Sequence, residues 1–286
     1  MEIIIGNSAG FCYGVRRAVE GVENELCNMR YKKVYCLGEL VHNKDVISSL
    51  EEKGLKVIKN IEDVEEKNSI CVIRAHGETK ETYEKAKKLG IKIADFTCPN
   101  VLKNQKLIEE YTNNGYYIIL LGNKNHPENI ATMSYGGENK ICLETEDELE
   151  DAIFDIKSKN IKKVFVFAQT TFSMKLFKIF TRILEEEFEN TDVELKILDT
   201  ICNATEIRQI ETKELSKRVD VMIILGGKNS SNTKKLYDIA KENCENYVLA
   251  ENLKEINLKK LEAKGFQTVG IMAGASTPYS AFKIDK

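Results

Sequence analysis

Three times along this chain a short β-branched strand runs into a helix through a loop that carries a cysteine. The segments are Ile3-Ile4-Ile5 leading to Cys12-Tyr13-Gly14-Val15, Ile91-Lys92-Ile93 leading to Cys98-Pro99-Asn100-Val101, and Leu195-Lys196-Ile197-Leu198 leading to Cys202-Asn203-Ala204-Thr205. The stretch after each cysteine repeats as well. At similar distances come His42, His126 and Ser230, each just past a strand ending in Leu-Gly or Gly-Gly. Farther on come His76, Thr170 and Ser276, again past apolar strands. One unit used three times, with a thiol and two polar positions in each, predicts three similar lobes facing one centre.

Each lobe is expected to be α/β. Strand-like runs at Ile3–Ile5, Val34–Leu37, Ile70–Ile73, Ile91–Ala94, Tyr116–Leu121, Val164–Ala168, Val193–Leu198, Val221–Leu225 and Thr268–Met272 alternate with amphipathic stretches. One such stretch carries Val15, Ala18, Val19, Val22, Leu26 and Met29 on a single helical face. Strands alternating with helices imply βαβ units and mainly parallel sheets. The repeat sets the expected boundaries at 1–97, 98–200 and 201–286, with residues 1–12 and the C-terminal tail packing across lobes. Parallel α/β units bind ligands at the carboxyl ends of their strands, where all the repeated polar positions fall. Duplication of a structural unit without a shared site would account for the strands but not for the thiols and polar residues at their ends.

Charge narrows the partners. The 42 Lys and Arg nearly balance the 45 Asp and Glu, a net charge of −3, so no nucleic-acid face is expected. The longest strongly apolar run, Tyr116–Leu121, is far short of the about 20 residues a membrane-spanning helix needs. The start has neither a basic region nor a long apolar one, and eight cysteines without an export signal fit a reducing cytoplasm rather than a disulfide framework.

The cysteines sort by context. Cys36, Cys71 and Cys142 lie in or beside apolar strands, and Cys27 and Cys244 in helical stretches; all five read as packing residues. Cys12, Cys98 and Cys202 sit at helix starts, where backbone N–H groups and the helix dipole favour the thiolate, the metal-ligating form. No pair has zinc-finger spacing. Three converging thiolates would leave one position of a metal centre open, and an open position permits chemistry.

The polar positions suit an anion. His42, His76 and His126 are the chain's three histidines. Gly226-Gly227-Lys228-Asn229-Ser230-Ser231-Asn232 and Ala273-Gly274-Ala275-Ser276-Thr277-Pro278 each come just after a strand and offer hydroxyls, an amide and turn N–H groups. Many donors with little fixed charge fit a diphosphate. Glu128, in His126-Pro127-Glu128, is the one carboxylate of the set: either a complement to a helix dipole, or a proton donor whose pKa rises in a dry site. Thr170 could relay that proton.

These stretches together resemble one family, the 4-hydroxy-3-methylbut-2-enyl diphosphate reductases. The likeness runs through Ala9-Gly10-Phe11-Cys12-Tyr13-Gly14-Val15, Val41-His42-Asn43, Arg74-Ala75-His76-Gly77, Thr97-Cys98-Pro99, Asn125-His126-Pro127-Glu128, Gln169-Thr170-Thr171, Asp199-Thr200-Ile201-Cys202-Asn203-Ala204-Thr205, Ser230-Ser231-Asn232 and Gly274-Ala275-Ser276-Thr277-Pro278, in order along nearly the whole chain. The chain departs from the family pattern at Glu78, at Asn129-Ile130-Ala131 and in the tail Tyr279 to Lys286.

The resemblance implies a pseudo-threefold trefoil of α/β lobes around a [4Fe–4S] cluster held by Cys12, Cys98 and Cys202, with one open iron. It implies a diphosphate pocket of His42, His76, His126, Ser230, Asn232 and Ser276, with Ser231 beside it, and proton delivery by Glu128 and Thr170. The implied reaction is reductive dehydration to isopentenyl and dimethylallyl diphosphate, the last step of the non-mevalonate isoprenoid route, with electrons from reduced ferredoxin or flavodoxin. Two rivals remain: a [4Fe–4S] hydro-lyase, which would want arginines at its strand ends, and an iron–sulfur sensor or scaffold, which would need neither Glu128 nor a donor ring.

Overall fold

The computed structural model describes residues 1–28 and 30–284. Its strands are β1 Glu2–Ile5, β2 Val34–Leu37, β3 Leu55–Ile58, β4 Ile70–Ile73, β5 Lys92–Asp95, β6 Tyr117–Leu121, β7 Lys140–Leu143, β8 Lys163–Ala168, β9 Glu194–Ile197, β10 Val221–Leu225, β11 Asn246–Ala250 and β12 Thr268–Ala273. Its α-helices are α1 Tyr13–Cys27, α2 Lys44–Glu52, α3 Lys80–Leu89, α4 Pro99–Asn113, α5 Pro127–Met133, α6 Glu146–Ser158, α7 Met174–Phe188, α8 Asn203–Ser216, α9 Ser231–Asn243 and α10 Leu258–Ala263. The helical face expected to reach Met29 ends with α1 at Cys27; Met29 itself lies outside the described residues.

The strands form three four-stranded sheets ordered β3-β2-β4-β5, β7-β6-β8-β9 and β11-β10-β12-β1. The expected parallel α/β class is what the chain adopts. One plan recurs three times, and in the last sheet the chain's first strand takes the place of β5 and β9. There β1 pairs in parallel with β12 from Glu2↔Thr268 to Ile5↔Ile271. The three strands at that edge, β1, β5 and β9, are the ones that lead into Cys12, Cys98 and Cys202.

The inner strands β2, β4, β6, β8, β10 and β12 are buried along nearly all their length. Strands covered on both faces need continuous apolar sequence, as in Tyr117-Ile118-Ile119-Leu120-Leu121. In the middle sheet Ile119, Leu121, Val164 and Val166 pack with Leu149 and Ile156 of α6 and Phe180 and Leu184 of α7. Ile118, Leu120, Phe165 and Phe167 pack with Ile108 of α4 on the other side. Burial of each such side chain contributes about 1.5–3 kcal/mol.

The chain divides into two compact units. Met1–Cys27, Glu39–Leu55 and Cys202–Lys286 form one, holding the sheet β11-β10-β12-β1 with α1, α2 and α8 to α10. Asn28–Gly38 and Lys56–Ile201 form the other, holding the other two sheets, apart from Leu55, with α3 to α7. Residues 1–97, expected as one lobe, thus contribute to both units. Of the C-terminal tail, Tyr279–Ala281 makes a short 3-10 turn and Ala281 and Phe282 join the core beside β12; Asp285 and Lys286 lie outside the described residues. Among the described residues no helix is long and apolar enough to cross a membrane.

Candidate active site

In the first unit, two of the three singled-out cysteines flank one buried cation. Cys12 comes after the loop that leaves β1, and its N–H donates to Ala275 O at 3.1 Å. Cys202 is the N-cap of α8, and its side chain makes no capping bond. Just before it in the sequence, at the end of the second unit, Asp199 Oδ1 accepts the Ile201 N–H at 2.9 Å. Arg208, 5% exposed, donates from Nη2 to Gly10 O at 2.7 Å and from Nη1 to Ala204 O at 2.6 Å. Burial lowers its pKa, and the charges of Cys12, Cys202 and Glu211 oppose that effect.

The loops after β10 and β12 close on the His42 backbone. Gly226 has φ +146°, and a Cβ at Gly227 would lie 2.3 Å from His42 O, so only glycine allows this approach. Ser276 Oγ donates to His42 O at 3.4 Å. His42 Nδ1 lies 3.9 Å from a Glu39 carboxylate oxygen. Ser230 caps α9, accepting the Thr233 N–H at 3.3 Å, and Ser231 is that helix's first residue. Asn232 is buried, and neither its amide oxygen nor its amide nitrogen has a hydrogen-bond partner among the described residues. An unsatisfied buried amide costs about 1–3 kcal/mol. His42, Ser230, Ser231, Asn232 and Ser276 therefore belong to one cluster of loops.

In the second unit, Cys98 is the N-cap of α4 with Pro99 after it, and again the thiol makes no capping bond. Its N–H donates to Ala75 O at 3.0 Å, next to His76. Asp95 Oδ1 accepts from Thr97 N–H at 2.8 Å and Thr97 Oγ at 2.5 Å, setting the turn. His126 is the N-cap of α5 and accepts the Glu128 N–H at Nδ1, 3.2 Å away. An Nδ1 that accepts leaves the neutral ring's proton on Nε2. The His76 and His126 rings meet edge to face with centroids 5.3 Å apart.

Glu128 is 3% exposed. Its two oxygens accept the Thr170 N–H and the Thr170 hydroxyl, each at 2.8 Å. Burial raises its pKa, with the Thr170 bonds working the other way. The unit thus holds a carboxyl group biased toward its protonated form and fixed at both oxygens.

The structure also explains two departures from the family pattern. Buried Asn129 donates from Nδ2 to Asn123 O at 2.8 Å and to Gln169 Oε1 at 3.0 Å. It ties the loop before His126 to the strand end that carries Thr170. Glu78 pairs with Arg74 at 3.1 Å.

Of the remaining cysteines, Cys36 and Cys71 are buried, Cys142 and Cys244 are half-buried like Cys12, Cys98 and Cys202, and Cys27, expected to pack, is exposed at the end of α1. Burial pushes Cys36, Cys71 and Cys142 each up to about 12. Of the singled-out residues, Cys12, Cys202, His42, Ser230, Ser231, Asn232 and Ser276 lie in the first unit, and Cys98, His76, His126, Glu128 and Thr170 in the second. Sequence reasoning did not find Arg208, Glu211, Asn129 or Gln169, which act through backbone or through other side chains. No sequence signal singles out Arg208, because the row that α8 buries there, Thr205, Arg208, Gln209 and Thr212, is polar throughout.

The family model described as LytB protein matches residues 3–284. A 4-hydroxy-3-methylbut-2-enyl diphosphate reductase of Caldanaerobacter subterraneus subsp. tengcongensis is 41% identical over 280 residues, 97% of this chain and 93% of that protein. The solved structure of an (E)-4-hydroxy-3-methyl-but-2-enyl diphosphate reductase, described as the terminal enzyme of the non-mevalonate pathway, is 37% identical with a TM-score of 0.70. That match covers 99% of this chain and 96% of the other. The E-1-hydroxy-2-methyl-but-2-enyl-4-diphosphate reductase from Plasmodium falciparum is 30% identical with a TM-score of 0.87, over 98% of this chain and 85% of that one.

Proposed function

The chain belongs to the 4-hydroxy-3-methylbut-2-enyl diphosphate reductases, the LytB family of oxidoreductases, and on that premise we propose that it reductively dehydrates the allylic alcohol diphosphate at a [4Fe–4S] cluster in a reducing cytoplasm. One substrate takes up two electrons and two protons and gives water and isopentenyl or dimethylallyl diphosphate.

The residues present fit the cluster. Cys12, Cys98 and Cys202 stand where helices begin and are half-buried. A buried guanidinium lies near two of them, and three protein ligands leave one iron open. When bound, the cluster supplies single-electron transfers and a Lewis-acidic iron; reduced ferredoxin or flavodoxin is the proposed donor.

The chain's own residues do the rest. His42, His76, His126, Ser230, Ser231, Asn232 and Ser276 donate to the diphosphate oxygens, and the unpartnered Asn232 amide gains there the bond it otherwise lacks. Binding a group remote from the reacting carbon holds the alcohol in place for reaction. Burial raises the Glu128 pKa, which suits it to deliver a proton to the departing hydroxyl, while Thr170 fixes the carboxyl. The buried Glu128–Thr170 pair is the observation that carries this reading. A sensor has no use for a general acid.

The test is anaerobic turnover of the reconstituted protein with reduced viologen dye and the hydroxylated diphosphate. Two dye molecules oxidised per isoprenoid diphosphate formed is the expected result. Loss of water without dye oxidation would favour a hydro-lyase, and no turnover with intact iron a sensor.

A further inference from the structure

Helix α8 grips the loop that leads to Cys12 with two side chains three residues apart. The Glu211 carboxylate accepts the Asn7 N–H at 2.6 Å, the Ser8 N–H at 2.9 Å and the Ser8 hydroxyl. Arg208 holds the far end of the loop through Gly10 O. The loop has no slack: Gly10 has φ +96°, and a Cβ at Gly6 would lie 2.0 Å from Met272 Sδ. The same helix begins at Cys202, so one rigid element sets the place of both thiols.

We infer that Arg208 is a positioning residue for cluster binding, clamping the Cys12 loop to the helix headed by Cys202 and supplying the buried positive charge that offsets their thiolates. This rests on the proposed three-cysteine ligation.

Its fork reaches two carbonyls, Gly10 and Ala204, which a single ammonium does not span with the same geometry. Its Nε, also buried, has no hydrogen-bond partner among the described residues. A buried guanidinium is costly unless anions face it. The groups of opposite sign acting on it are Cys12, Cys202 and Glu211, and Glu211 is already bonded to Asn7 and Ser8. Metal-bound cysteines are thiolates, so the full compensation of Arg208 comes with the cluster.

The experiment uses Arg208→Gln, Arg208→Lys and, as control, Cys98→Ser in the full-length protein. Hydrogen exchange at residues 6–12, iron and sulfide per chain after anaerobic reconstitution, and the cluster's reduction potential are measured. In Arg208→Gln, exchange at 6–12 is expected to rise at least about tenfold while β10 stays protected. Iron content is expected to fall, and any cluster formed to be harder to reduce. Arg208→Lys is expected to bring the potential back toward wild type but not the loop protection, a split that a purely structural role would not produce. Wild-type exchange and potential in Arg208→Gln would overturn the inference. If that variant does not fold, full loop protection in Arg208→Lys does so instead. Wild-type iron in Cys98→Ser would overturn the ligation itself, whereas iron loss there with an unaltered Arg208→Gln removes only the role of Arg208.

Discussion

Glu128 lies in the first turn of α5, yet it is buried with both oxygens held by Thr170, and that burial supports the proton-donor reading proposed above. Glu128→Gln is expected to lower kcat by about 10²–10⁴-fold, the usual cost of losing a general acid, with iron content unchanged. A variant of normal kcat would retire Glu128 as the acid. The same swap has a pH signature in stability. A carboxyl whose folded pKa is raised favours the folded state fully below its unfolded pKa and loses that contribution as pH rises through the folded value. Thermal unfolding of wild type and Glu128→Gln at stepped pH is therefore expected to show the variant gaining relative stability as pH climbs through that window and levelling off above it. Cys36 and Cys71, pushed up to about 12, are expected to resist alkylation at pH 8. Cys36→Ala is expected to keep full iron content at a cost of about 1 kcal/mol in unfolding free energy.

At the scale of elements, each singled-out cysteine stands where a helix begins. Serine is among the best N-cap residues, and neither Cys98 nor Cys202 makes a capping bond now. Cys98→Ser is thus expected to leave the cluster-free protein as stable as wild type, or slightly more so, while abolishing iron binding. A large drop in Tm without metal would mean that the thiol is there for packing. The strands show what patterning reveals and hides. Every inner strand was legible as an apolar run, because burial on both faces demands one. The strands missed were β3, β7 and β11, which occupy the same edge of their three sheets. Their partly exposed patterns, as in Lys140-Ile141-Cys142-Leu143 and Asn246-Tyr247-Val248-Leu249-Ala250, blur the signal, as edge strands do. Arg208 was illegible for a related reason: nothing in a polar helix says which charged side chain turns inward.

For the whole molecule, the threefold repeat was readable from the thiols and the polar positions after them. The repeat set boundaries near residues 97 and 200 with residues 1–12 packing across lobes, but it did not name the partner: the last sheet is completed by β1 beside β12. Periodicity reports which face of a segment is buried, not which distant segment covers it. Deleting residues 1–5 removes Ile3 and Ile5 from the core beside β12. Calorimetry is expected to show a loss on the order of 3 kcal/mol, with hydrogen exchange rising first along β12. The pairing also bears on how the protein is made. The strand Glu2-Ile3-Ile4-Ile5 is synthesised well before its partner, which begins at Thr268. Until β12 is made, that apolar strand lacks the edge it pairs with, which exposes it to mispairing. A nascent chain arrested before β12 is therefore a natural client for chaperones, and the emergence of β12 is the event that lets the sheet close.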